Sequence, residues 1–365
     1  MSPYKKFTGA SIEMSGPVKA YNIASMISIM IFRAVTLHLN DPELYSSYSD
    51  YLTKLSSKLN SLSARVVLPK AYDEVSLDLK AAYSGRGSKA FEIAWNLLKG
   101  GYFTSISLSS DPSEIYRASE FLFRISEELG PEYATMFALG SGEPPETPYF
   151  PLTKSENFGL SFSLLYPSDL YGALTEAEEP DLTLRYALSR VFREAERRVE
   201  EAIGELGEAV PIIGIDFSLS PWMEESAAEV VSLVARSPFL GPGTPSALLE
   251  INEAILESSE GMRRIGFNET MLPMAEDDLL KELSLRLEMR ARDLALLTPY
   301  CLAGLDMVLL PLSVGRGDLA KLIRDVIASS RVKGRTIGLR IILADAEPGE
   351  QVELRRFGKV PVMMP

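Results

Sequence analysis

The chain has 365 residues, 37 Lys+Arg against 50 Asp+Glu for a formal net charge of −13 at pH 7, and a hydrophobic fraction of 46%. That fraction suits a globular chain with a large core, while the acidic surplus, with no dense basic stripe, argues against nucleic acid or an anionic membrane surface as a partner. One Cys and one His exclude an intramolecular disulfide and a Cys/His zinc site, and leave His-dependent triads only His38.

The most apolar stretch, 23–32 (IASMISIMIF), is half the length a bilayer requires and is not followed by a small-residue cleavage pattern. It predicts neither a membrane span nor a secretory leader, and a cytoplasmic protein is expected. The next segment, 33–38 (RAVTLH), reads as a buried strand ending on His38. Apolar residues at helical spacing predict a helix over 42–62, and the β-branched run 64–68 (ARVVL) a strand. The helical pattern returns over 88–98 and stops at Gly100-Gly101. Segment 102–108 (YFTSISL) alternates as a strand, Asp111-Pro112 opens a helix through Leu129, and 133–139 (YATMFAL) returns to strand.

Four prolines rule out regular pairing in the loop 141–153 (SGEPPETPYFPLT), which separates the chain into two halves. Beyond 159–165 (GLSFSLL) a charged helix is expected over 181–206, with Glu and Arg three and four apart as on a solvated face. The run 210–218 (VPIIGIDFS) is the cleanest buried strand, and helices follow over 222–234 and 245–256. The last third predicts a helix over 278–296, a strand at 307–310, a helix over 318–329 and a strand over 336–343. Such alternation indicates α/β architecture with mainly parallel pairing.

Gln occurs once and Asn seven times, a depletion of thermolabile side chains expected of a heat-adapted protein. No Walker-type phosphate loop and no Gly-x-Gly-x-x-Gly after a strand is present. Gly241-Pro242-Gly243-Thr244 precedes a helix, where backbone N–H groups can hold an anion or serve an ordinary loop-to-helix junction. Asp216 ends a buried strand, where α/β folds bind ligands, with Ser218 and Ser220 after it; capping the next helix is the alternative. Cys301 is the one strong nucleophile in the chain, or an inert packed thiol, and His38 is a base or a satisfied packing residue.

GIDFSLSP at 214–221, FLGPGT at 239–244 and CLAGLDMVLLP at 301–311, with RAVTL at 33–37 and TPYFPL at 147–152, resemble in order and spacing the domain of unknown function 711 family. The resemblance implies a single α/β barrel over 1–365, ten-stranded and similar to that of pyruvate formate-lyase and other glycyl radical enzymes, and brings no established reaction. It puts Asp216, Gly243, Thr244, Cys301, Gly304 and Asp306 on motif positions. Leu302 departs from the Gly usual after the Cys and narrows any space beside the thiol. No glycyl radical is expected, because Lys333 and Arg335 flank Gly334 where that signature needs a small residue and an aromatic one.

Two functional expectations follow. In the first, an enzyme acts on a small polar or anionic metabolite in the lumen, with Cys301 as nucleophile or proton donor and Asp216 and Asp306 as acid/base groups or Mg²⁺ ligands. Ser218, Gly243, Thr244 and Gly304 would bind substrate. In the second, a non-catalytic sensor binds a metabolite or, as the resemblance implies, an ACT-domain protein. A homodimer is the default assembly.

Overall fold

The computed structural model describes residues 31–176, 180–207, 210–300 and 304–365, so most of the apolar run 23–32, together with Cys301 and Leu302, lies outside the described residues. Strand β1 (Ile31–His38) leads through a 3-10 turn into α1 (Tyr45–Lys58), then β2 (Ala64–Leu68), β3 (Lys80–Ala82), α2 (Ser88–Lys99), β4 (Thr104–Ser107), α3 (Pro112–Glu128), a single turn α4 (Pro131–Ala134) and β5 (Phe137–Gly140). The second half runs β6 (Gly159–Leu165), α5 (Pro167–Thr175), α6 (Pro180–Leu206), β7 (Ile212–Asp216), α7 (Ala227–Ala235), α8 (Thr244–Ser258), α9 (Asp278–Leu285), α10 (Ala291–Leu297), β8 (Gly304–Pro311), α11 (Arg316–Lys333), β9 (Gly338–Ala344) and the hairpin β10 (Gln351–Leu354) and β11 (Gly358–Pro361).

Local chemistry accounts for most boundaries. Asp111 accepts from Ser113 N at 2.8 Å and, with Pro112 at the first helical position, starts α3. Three expectations need correction: the helix expected from Trp222 begins only at Ala227, after a turn in which Trp222 and Glu225 pair through their backbones. The strand expected from Tyr133 begins only at Phe137, because Pro131–Ala134 close a helical turn. The helix expected over 278–296 is two, since Leu287 adopts a left-handed φ of 60° and ends α9 in a conformation usually left to Gly.

Five strands are ordered β3-β2-β1-β6-β7 and four β4-β5-β9-β8. Ala82 N donates to Phe103 O, and Phe103 N to Lys80 O, which ties β3 to the chain entering β4, so the two sheets run into one another. Pairing is parallel except at two seams, β1 against β6 and β5 against β9. The result is a mixed α/β fold.

The two faces of the sheet differ. Phe32, Val35 and Leu37 of β1, Phe162 of β6, Phe137 of β5 and Ile341 of β9 join the helices in one large apolar core. The alternate positions carry Thr36, His38, Arg65, Ser161, Ser163 and Arg340, all buried. That second face is covered by loops. Tyr149 and Leu152 pack with Ala138, Phe267 and Met271, and Phe150 packs on Val67, Ala81 and Phe103. The Pro-rich segment is therefore interior filling, with Thr147 and Thr153 fully buried.

Candidate functional site

Three arginines stand alone in otherwise uncharged strands: Arg33 in β1, Arg65 in β2 and Arg340 in β9. The alternation that sends their neighbours to the helices turns all three to the loop-covered face, where they line one cavity of about 80 Å³. Glu276, Asp306 and Arg356 complete its charged wall, and Phe103, Phe150, Trp222, Phe267 and Phe357 its apolar one.

Glu276, 4% exposed, takes Arg33 on one oxygen and Arg340 Nη2 at 2.9 Å on the other. Burial pushes the Glu276 carboxyl up, but Arg33, Arg340 and Arg65 outweigh it and hold the group below its ordinary value. Arg340 also grips Asp306 with both ends of its fork, at 2.7 and 2.9 Å. Asp306 reaches it because the β8–β9 register shifts between Leu305 and Val308, and Met307 sits at a left-handed φ of 53°. Such a bulge re-aims one side chain at a cost of about 1–3 kcal/mol. Burial raises the Asp306 pKa against the pull of Arg340.

Arg65 differs from its neighbours. It is 9% exposed and donates to Ser63 Oγ at 3.0 Å and the Pro148 carbonyl at 2.8 Å, yet among the described residues no carboxylate pairs with it. Burial, followed by the charges of Arg33 and Arg356, pushes its pKa down to about 9. Arg33 lies over Trp222 and Tyr149, at 5.2 and 5.9 Å to the ring centroids, and its buried Nε has no partner among the described residues.

The structure brings Asp306 into this wall, with Ser220 beside it, and places Asp216, Ser218, Gly243, Thr244 and Gly304 elsewhere, while Cys301 lies outside the described residues. Asp216 is fully buried and accepts five hydrogen bonds: from Thr147 Oγ1 (2.9 Å), Phe267 N (2.9 Å), Asn268 N (3.1 Å), Ser218 N (3.1 Å) and Ser218 Oγ (2.6 Å). A carboxylate offers about four lone-pair directions, so this one is saturated and acts as a staple for the loops behind the cavity. Ser218 completes the staple by accepting from Glu269 N at 3.1 Å. Gly243 caps α8 at φ 98°, and Thr244 Oγ1 donates to the Gly241 carbonyl at 3.0 Å, an ordinary helix start; neither lines the cavity. Gly304 opens β8 where a Cβ would meet the Gly338 carbonyl at 2.2 Å, which makes it a close-packing glycine. Gly334 ends α11 at φ 74° while Lys333 and Arg335 pair with Glu269, a basic turn as expected. Among the described residues no group of three or more His, Cys, Asp or Glu could hold a metal ion, and the two cavity carboxylates already face guanidinium groups.

The arginines were the missed residues. Their signal was a lone charge inside an apolar strand, for which burial requires a partner or a ligand.

His38 lies on the same sheet face, Nε2 2.8 Å from Ser161 Oγ. Burial lowers its pKa to about 4 against the opposing Glu146 charge and Lys154 backbone. The unfolded chain protonates near 6.5, so the stability His38 contributes is present above that pH and lost as pH falls towards 4, about 3 kcal/mol in all. As the sole histidine, its ring resonance should stay unshifted in NMR from about pH 7.5 to 5; an inflection near 6.5 would show a solvated ring.

A sequence profile described as "Uncharacterised ACR (DUF711)" matches residues 133–355, more than half of the chain. Curated relatives include UPF0210 proteins of Sulfurisphaera tokodaii (25% identity over 65% of this chain and 56% of the relative), Methanopyrus kandleri (31% over 49% and 40%) and Pyrobaculum arsenaticum (25% over 66% and 56%). The chain spans about half the length of these relatives, some of them from thermophiles, and none of their names states a reaction. Among the described residues no helix is long and apolar enough to cross a membrane.

Proposed function

The chain belongs to the DUF711 family, and from that premise we propose that it binds a small anionic metabolite, of carboxylate or phosphate type, in the cavity between Arg33, Arg65 and Arg340. One observation carries the reading: Arg65 is a buried guanidinium without a carboxylate partner among the described residues, in a wall that already holds two more arginines. A buried charge is tolerated when something neutralises it, and a planar guanidinium suits carboxylate and phosphate oxygens. The aromatic wall suits the carbon skeleton of the same ligand.

Both functional expectations, enzyme and sensor, share this site. Cys301, five positions before Asp306 in the chain, is the candidate nucleophile of the enzyme reading, with Asp306 and Glu276 orienting Arg340. The two antiparallel seams and the one-sided layer of helices support a ten-stranded barrel with the cavity in its lumen, the segment around Arg264 adding a strand beside Ile215 of β7.

Thermal unfolding with butyrate, succinate or inorganic phosphate tests the anion reading. Saturating anion should stabilise the chain by about 2–3 kcal/mol at a hundred times its Kd. Arg65→Gln should weaken binding at least about tenfold, and Arg65→Lys, which keeps the charge without the fork, should fall between. No shift of the wild-type chain with any of the three would sink the reading.

A further inference from the structure

The turn of the β10–β11 hairpin holds Arg356 at the rim of the cavity. Its neighbour Phe357 is anchored: the ring packs edge-on against Trp222 at 6.1 Å, the N–H donates to the Leu354 carbonyl at 2.8 Å, and the carbonyl accepts Lys281 Nζ at 3.3 Å. That anchoring fixes where Arg356 is presented, yet among the described residues its guanidinium makes no hydrogen bond and no ion pair. Burial and the nearby Arg33 and Arg340 charges lower its pKa, with Glu276 and Asp78 opposing.

Charge balance gives this side chain a consequence. Arg33, Arg65 and Arg340 against Glu276 and Asp306 leave one positive charge, which a monoanion neutralises. Arg356 raises the surplus to two, and among the described residues Arg33 Nε is a further buried donor without a partner in the same wall. Arg356 therefore presents an exposed guanidinium to a rim whose wall already carries a surplus positive charge, which adds attraction for a ligand's second negative charge.

We infer that Arg356 makes the cavity selective for a small dianion, a short dicarboxylate or a phosphate, over a monoanion of equal size. This rests on the anion-binding reading above and adds the ligand's charge and the residue that selects it. Arg356 is exposed and, among the described residues, touches no other side chain by hydrogen bond, so it can be changed without dismantling the Glu276 network.

Calorimetric titration of the full chain at matched ionic strength and about pH 8, where butyrate is a monoanion, succinate and phosphate are mainly dianions and Arg65 is still charged, separates the possibilities. Succinate and butyrate share a four-carbon skeleton and differ by one charge. Wild type should bind succinate at least about tenfold more tightly than butyrate, and Arg356→Gln should bring the ratio to within about twofold with an unchanged melting temperature. Comparing succinate with inorganic phosphate then tells a carboxylate pair from a phosphate. Equal affinities in wild type, or a preference that survives Arg356→Gln, overturn the assignment while leaving anion binding intact. Absence of binding by all three probes removes the anion-binding reading and this inference together.

Discussion

Glu276→Gln is expected to destabilise the folded chain by about 3–5 kcal/mol, because it removes the one carboxylate that Arg33 touches among the described residues and half of what neutralises Arg340. The amide can accept from one guanidinium only by turning its NH₂ towards the other, so a donor meets a donor in a site from which water is largely excluded. Arg340 keeps Asp306; Arg33 is left with the Pro221 carbonyl, a loose 3.4 Å contact to Ser220 and two aromatic faces. Urea unfolding should show the loss as a lower midpoint with unchanged slope. The double variant Arg33→Met/Glu276→Gln should recover part of it, since removing both partners leaves less uncompensated charge than removing one. A loss below about 1 kcal/mol would mean that the pair is solvated and is not the keystone of the cavity.

Asp216→Asn should cost about as much, about 3–5 kcal/mol, for a different reason. The Thr147 and Ser218 hydroxyls can rotate to meet an amide, but the backbone N–H groups of Phe267, Asn268 and Ser218 cannot. Whichever way the amide is turned, at least one backbone donor faces another donor, and the charge-assisted strength of the remaining bonds is lost. Gly266 reports on the same staple: a Cβ there would lie 2.1 Å from Asp216 Oδ2 at a φ of 74°. Gly266→Ala should therefore reproduce the thermal loss of Asp216→Asn, and the two together should cost much less than their sum. Full additivity would show that Asp216 does not hold the loops through Phe267 and Asn268.

The elements that sequence reasoning located well are those whose signal is local. Ala64–Leu68 was legible from its β-branched run, the end of β1 at His38 from the apolar run RAVTLH, and the start of α3 from Asp111-Pro112. The failures have equally specific causes. Lys80–Ala82 is a three-residue strand with no alternation to detect, and it exists because β2 and the chain entering β4 present backbone partners on both sides. The break at Leu287 uses no Gly or Pro, so nothing in the local sequence announces it. Asp216 was legible as a buried carboxylate at a strand end, whereas its saturation by Phe267 and Asn268 depends on a loop about fifty positions away. The arginine wall needed topology: Arg33, Arg65 and Arg340 lie on strands that meet only once the seams between β1 and β6 and between β5 and β9 are known.

The Arg33–Glu276 contact joins positions 243 residues apart. During synthesis at roughly 5–20 residues per second, the first strand waits ten seconds or more for the acid that neutralises it. Until then the emerging amino-terminal half carries two future interior guanidinium groups that are better left hydrated than buried, and its sheet has no electrostatic reason to seal. Completion of that interior is thereby deferred to the late arrival of the 266–276 segment and β9. The two halves share one charged network, and a truncation before Glu276 removes β8 and β9 with their part of the apolar core as well as the counter-charge of Arg33.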